Sequence, residues 1–177
     1  LDAVPSLALG SSVVSPLEIA SAFGTFANGG ISAVPYTVMR VEDATGKELE
    51  TRLPQEREAM SPQLAYLMTN LLRGVVQNGT GVYARRLGRP IAGKTGTSSD
   101  NRDLWFVGYT PDLVAAAWMG YDDFTSLGRK DWTGGSTVLP WWTAIMEEVL
   151  KGQPKKDFPV PPNIVTEKID PDTGMLA

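Results

Sequence analysis

Residues 88–97 read "GRPIAGKTGT", and two incompatible structures fit that stretch. Gly88 to Thr95 completes the pattern G-x-x-x-x-G-K-[ST], a loop whose backbone amides and lysine cradle a nucleotide phosphate. Lys94-Thr95-Gly96-Thr97 also reads as an extended strand, in which Gly93 and Gly96 let another backbone or a ligand come close. In that form Lys94 supplies a positive charge, and the Thr95 and Thr97 hydroxyls, at i and i+2, share a face suited to a carboxylate. Extended backbone at Thr97 can also pair with a peptide as an added strand.

The neighbours favour the strand. A phosphate-binding loop needs a buried parallel strand before it and a helix beginning at the Lys-Thr pair. "VYARRL" (82–87) is too charged for a central parallel strand, and "GTSSDNRD" (96–103) is made of poor helix formers. Pro90 weakens the loop further. A solvent-facing Lys-Thr strand would carry the same letters, so the triplet alone does not define a site.

The chain of 177 residues is 42% hydrophobic and 20% charged, enough for one core. Its net charge of −4 argues against nucleic acid as a partner. There is no cysteine and no histidine. Disulfides, Cys nucleophiles, His-based triads and most zinc sites are thereby excluded, and no metal or cofactor is expected. Nucleophilic chemistry would need Ser or Thr with Lys as its base. The lack of Cys suits an oxidising compartment. No apolar run has the length of a membrane span, and no signal peptide opens the chain. "LDAVPSLALG" (1–10) begins without Met and in mid-pattern, as a piece of a longer polypeptide would.

"SPLEIASAFGTFANGG" (15–30) predicts a helix with Ser15 as N-cap, Pro16 at its first position and Glu18 closing a capping box. Leu17, Ile19, Ala20, Phe23 and Ala27 would line its buried face. Residues 34–53 predict a hairpin turning at Ala44, Thr45 and Gly46. A second Ser-Pro opening at Ser61 starts a helix stopped by Asn78-Gly79, with Leu64, Leu67, Met68, Leu71, Leu72, Val75 and Val76 as its core stripe. "DLWFVGYTPD" (103–112) and "LVAAAWMGYDD" (113–123) read as an antiparallel pair turning at Thr110-Pro111-Asp112. A last helix starts at Pro140 and ends at Gly152, followed by an extended tail, residues 154–177, rich in proline. Asp170-Pro171-Asp172-Thr173-Gly174 hints at a calcium loop but lacks a closing Glu.

Taken in order, "PSLALGSSVVSPLEIASAFGTFANGG", "GVVQNGTG" and "AGKTGTSSDNRDLWFVGYTPDLVAAAWMGYDD" closely resemble the carboxy-terminal half of the transpeptidase domain of class A penicillin-binding proteins. The likeness runs over almost the whole chain, including the tail "PPNIVTEKIDPDTGMLA". It implies an α/β fold of the α+β type, an antiparallel sheet flanked by helices, with residues 1–153 as half of that domain. The function implied is D,D-transpeptidation, in which a serine attacks the D-Ala-D-Ala end of a peptidoglycan stem peptide and the acyl group passes to a neighbouring amine. β-Lactams trap that serine. By resemblance, Lys94 serves the proton network and the substrate carboxylate. Thr95 and Thr97 bind that carboxylate, Thr97 N–H is an oxyanion donor, and Gly96 keeps the strand open. An extracytoplasmic location follows, in the periplasm or on the outer face of the plasma membrane, with a membrane anchor elsewhere in the parent protein.

The family's other two motifs are missing. No Ser has Lys three residues later, Ser126-Leu127-Gly128-Arg129 being the nearest approach. Ser99-Asp100-Asn101 has the letters of S-x-N but lies after K-T-G, where the family has a loop, so Ser99 and Asn101 read as accidental. The nucleophile half would therefore be a partner of this chain within one domain, beside the stem peptide or its lipid-linked polymer. Two readings of other classes stay open: a non-catalytic carboxylate-binding module on the same strand, and a nucleotidase with a helix starting at Lys94.

Overall fold

Ser15 opens the first helix, α1 (Pro16–Ala27), by the foreseen capping box. Its Oγ accepts from Glu18 N–H at 3.3 Å, and Glu18 Oε2 accepts from Ser15 N–H at 2.7 Å. The computed structural model describes residues 3–170 and 172–176; Leu1, Asp2, Pro171 and Ala177 lie outside them. Ile19, Ala20, Phe23 and Ala27 are partly buried as expected, but Leu17 is exposed and Thr25 is the buried residue of α1. Beyond α1, Gly30 takes φ 97°, and a Cβ there would lie 2.2 Å from Met60 O. Only glycine fits that contact.

The predicted hairpin is present but shorter: β2 (Arg40–Glu42) pairs with β3 (Glu48–Thr51). Asp43 Oδ1 closes the turn by accepting from Thr45 N–H at 2.8 Å and Lys47 N–H at 3.0 Å. A pairing not read from the sequence, β1 (Ile31–Ala33) with β4 (Glu56–Glu58), joins the base of this arm.

α2 (Pro62–Asn78) starts at Ser61, whose Oγ accepts from Leu64 N–H, and ends at Gly79. Its stripe is split. Ala65, Thr69, Leu72 and Val76 are buried, whereas Leu64, Leu67 and Leu71 are exposed, so the single core stripe inferred above is corrected to two rows. After a 3-10 turn over Val82–Leu87 come β5 (Ala92–Thr97), β6 (Asp103–Tyr109) and β7 (Val114–Gly120), an antiparallel sheet in that order. Lys94 lies within β5, not at a helix start, which removes the nucleotide-loop reading. A single π-helical turn, Gly134–Val138, leads into α3 (Leu139–Val149).

One sheet face packs Leu104, Phe106 and Ala117 against Val138, Leu139, Trp142 and Met146 of the last helical stretch, with Val76 and Ala84 at the side. Phe106 and Trp142 meet edge to face with ring centroids 4.8 Å apart. The opposite face sets Ala92 and Tyr109 against Leu72, Phe23 and Phe26. The chain after Gly152 has little regular structure yet is tied back. Phe158 is buried against Tyr109, Asp157 meets Arg73 at 3.0 Å, and Gln63 donates to Pro162 O. Asp170 uses its carboxylate in a turn, accepting from the Thr173 and Asp172 N–H groups, which hold it below its ordinary range.

Candidate active site

β5 is hydrogen-bonded along one side only, to β6, so its other side is a free edge among the described residues. The register sets Thr95 opposite Phe106 and Thr97 opposite Leu104. Opposed residues share a face, so both threonines point to the α3 side, while Lys94 and Gly96, opposite Val107 and Trp105, point to the α1 and α2 side. The backbone alternates too. Ser98 N–H donates to Asp103 O at 2.9 Å, which makes Ser98 and Asp103 a hydrogen-bonded pair. Antiparallel alternation then turns the N–H and C=O of Thr97 and Thr95 away from β6, toward the free edge. Lys94 Nζ donates to Thr95 O at 3.0 Å, which brings the cation to that same edge.

Two other segments close on the strand. Gly134 N–H donates to Thr97 Oγ1 at 3.1 Å. A Cβ on Gly134 would sit 2.2 Å from Trp105 O and 2.5 Å from Gly96 O, so the π turn lies directly on the sheet. From the end of α2, Thr80 Oγ1 lies 2.6 Å from Thr95 Oγ1. A Cβ on Gly135 would approach Thr80 O to 3.0 Å, so these segments also touch each other. Sequence reasoning named Lys94, Thr95, Gly96 and Thr97 but missed Thr80, Gly134 and Gly135. Their only signal was glycine beside a hydroxyl residue, in Gly79-Thr80-Gly81 and Thr133-Gly134-Gly135.

Ser99–Asn101 forms the tight connection from β5 to β6, with Asp100 at φ 59° and Asn101 at φ 51°. The Asn101 side-chain amide donates to Trp132 O, Leu127 N–H donates to Asn101 O at 3.1 Å, and Ser126 Oγ donates to Asp100 O. These bonds tie the connection to the loop that delivers Gly134. Asn101 thus has a structural duty that its accidental motif concealed.

This arrangement of antiparallel sheet and flanking helices is that of a known family. Residues 2–136 match the penicillin binding protein transpeptidase domain, and the chain belongs to that family. Among its relatives, penicillin-binding protein 1A of Aquifex aeolicus is 38% identical over 172 residues, covering 97% of this chain and 24% of that protein. Penicillin-binding protein 1A of Neisseria lactamica is 40% identical over 166 residues, covering 90% and 21% respectively. The chain therefore spans about a quarter of the length of these curated relatives. In three dimensions it is similar to the crystal structure of penicillin-binding protein 1A from Haemophilus influenzae, with TM-score 0.92 and 27% identity over 99% of this chain and 32% of that one. PonA1 from Mycobacterium tuberculosis, solved in complex with penicillin V, matches with TM-score 0.75 and 27% identity over 90% of this chain and 44% of that one. The mixed helix and antiparallel sheet fold is thus that of the penicillin-binding transpeptidases.

Proposed function

We propose that this chain is the K-T-G wall of a serine D,D-transpeptidase that cross-links peptidoglycan stem peptides, and that the nucleophile comes from another part of the same domain. The carrying observation is the free edge of β5, where Thr97 N–H points outward beside Lys94 and no acceptor for it is found among the described residues.

In this reading the serine Oγ attacks the carbonyl carbon of the penultimate D-Ala, and its negative oxygen forms against Thr97 N–H. The amide C–N bond then breaks, and terminal D-Ala leaves as an amine carrying the proton that the serine gave up. An amine of a neighbouring stem attacks the resulting ester, forms the cross-link and returns a proton to the serine. Lys94 lowers the cost of negative charge on serine and substrate carboxylate. Thr95 and Thr97 donate to the carboxylate, and Gly96 leaves room for the peptide to lie along the edge. A β-lactam follows the same first step, its ring amide opening onto the serine. Residues 1–153 form the domain piece and 154–177 its strap, within an extracytoplasmic protein anchored to the membrane by a segment outside this chain. No helix among the described residues is long and apolar enough to cross a membrane.

The test uses the complete transpeptidase and a chromogenic β-lactam, with second-order acylation rates on variants of matched Tm. Charge-assisted bonds contribute on the order of 1.5–3 kcal/mol, about ten- to a hundredfold in rate. Lys94→Ala should lose the most, Thr95→Val and Thr97→Val less, because Thr97 keeps its N–H. Wild-type rates for Lys94→Ala would remove the reading. The absence of any Ser followed at i+3 by Lys favours one alternative, a carboxylate-binding module that performs no chemistry. Covalent labelling of the complete protein by a fluorescent penicillin, with this chain alone unlabelled, separates the two.

A further inference from the structure

We propose that Thr80 is a positioning residue that directs the Thr95 hydroxyl proton at the substrate carboxylate; this rests on the transpeptidase reading of β5. A threonine hydroxyl has one proton and two acceptor lone pairs. At Thr97 the assignment is unambiguous, since a backbone N–H can only donate. Gly134 N–H occupies a lone pair of Thr97 Oγ1 and leaves the Thr97 proton for another acceptor.

Thr95 has the matching arrangement with a different donor. Its Oγ1 lies 2.6 Å from Thr80 Oγ1, and in the free strand either hydroxyl can donate. An anion at the edge breaks the tie. A hydroxyl donating to a carboxylate makes a charge-assisted bond, roughly twice as strong as the neutral bond between two hydroxyls. Thr95 therefore gives its proton to the anion, and Thr80 donates into Thr95. Each bond polarises the next, so Thr80 strengthens the contact it does not itself make. Same-face positions on a strand are about 6.6 Å apart, a gap that one carboxylate and two O–H···O bonds of about 2.7 Å can bridge.

The backbone around Thr80 is built to hold it there. Gly79 N–H and Gly81 N–H both donate to Val75 O, at 3.1 and 2.9 Å, folding the chain back over the end of α2. A Cβ at Gly79 would lie 3.0 Å from Val75 O, and one at Gly81 3.1 Å from it. On its other side Thr80 O packs against Gly135, next to the residue that serves Thr97. Among the described residues the Thr80 hydroxyl makes no hydrogen bond other than that to Thr95.

The experiment uses the complete transpeptidase, Thr80→Val and Thr80→Ser variants of matched Tm, and two probes: a β-lactam bearing its free carboxylate and the methyl ester of the same compound. Loss of one supporting hydrogen bond predicts a fall of about three- to tenfold in acylation by the acid for Thr80→Val. The ester rate should not change, and Thr80→Ser should restore the acid rate. A wild-type acid rate in Thr80→Val overturns the proposal, as does an equal fall for acid and ester, which a merely structural role would give. Thr95→Val locates the failure. If it also leaves the preference for acid over ester intact, the carboxylate role of β5 fails with the proposal. If it abolishes that preference while Thr80→Val does not, the role of Thr80 alone is lost.

Discussion

On one side of α2, Ala65, Thr69, Leu72 and Val76 are buried against the sheet and the returning tail; on the other, Leu64, Leu67 and Leu71 are half or more exposed. Both rows recur at helical spacing and both are mainly apolar. The difference between them lies outside the helix. The inward row meets β5, β6 and Phe158, while the outward row meets no comparable surface among the described residues. α3 repeats the pattern: Leu139, Trp142 and Met146 are buried, and Trp141, Ile145 and Val149 are exposed. Isolated exposed hydrophobics are ordinary, but rows of them on successive turns of two helices are what a second packing surface requires. The relatives extend well beyond the part matched here, which gives such a surface a source. We therefore expect the outward row of α2 to pack against a part of the parent protein outside this chain.

The largest effect should come from the inward row. Leu72→Ala, at a side chain 8% exposed, should destabilise by about 2–5 kcal/mol through lost transfer energy and a cavity beside Tyr109. Chemical denaturation measures it. A cost under about 0.5 kcal/mol, typical of surface positions, would erase the distinction between the rows.

A smaller and pH-dependent effect belongs to the polar member of that row. Thr69 Oγ1 lies 2.9 Å from the Tyr109 hydroxyl, and burial pushes the Tyr109 phenol up to about 12, the Thr69 hydrogen bond opposing part of that rise. The unfolded phenol titrates near 10, so above that pH the unfolded chain loses its proton first and is favoured. The shift therefore leaves stability unchanged below about pH 10 and lowers it as pH rises toward about 12, because the fold disfavours the buried phenolate. Tyr109→Phe should cost about 1 kcal/mol at neutral pH and flatten the alkaline fall between those limits. An unchanged slope in Tyr109→Phe would show that other groups govern it.

What the sequence made legible follows from range. The capping box at Ser15, the Ser61 opening, the Asn78-Gly79 stop and the Thr110 turn are settled by neighbours within four residues. The antiparallel order of β5, β6 and β7 follows from short connections and alternation. What stayed hidden depends on distant segments. The two rows of α2 look alike until a sheet covers one of them. The β1 and β4 pairing joins stretches separated by a hairpin. Thr80 and Gly134 come to β5 from opposite sides of it in sequence, and nothing local marks them as its neighbours. Asn101 was read as accidental by its motif, and its hold on Trp132 spans 31 residues. The extended run from Ala92 to Thr97 was legible from its neighbours, the roles expected of Lys94, Thr95 and Thr97 came from the family resemblance alone, and the direction of the Thr97 N–H required the β5–β6 register.

The smallest effect should be at the centre of the outward row. In this chain alone, Leu67→Gln removes a side chain that is 51% exposed and replaces it with a residue of similar helix propensity. The change in unfolding free energy should stay within about 0.5 kcal/mol. Self-association measured by sedimentation velocity should decrease, since an exposed apolar row is the surface through which copies of the chain would adhere. The same substitution in the complete protein would place an amide in a packed interface and should cost several times more, because a buried polar group without a partner loses about 1–3 kcal/mol of hydration. The comparison therefore rests on a difference between two contexts rather than on either measurement alone. Equal and small effects in both would mean that the outward row faces water in the whole protein, and that Leu64, Leu67 and Leu71 are surface residues.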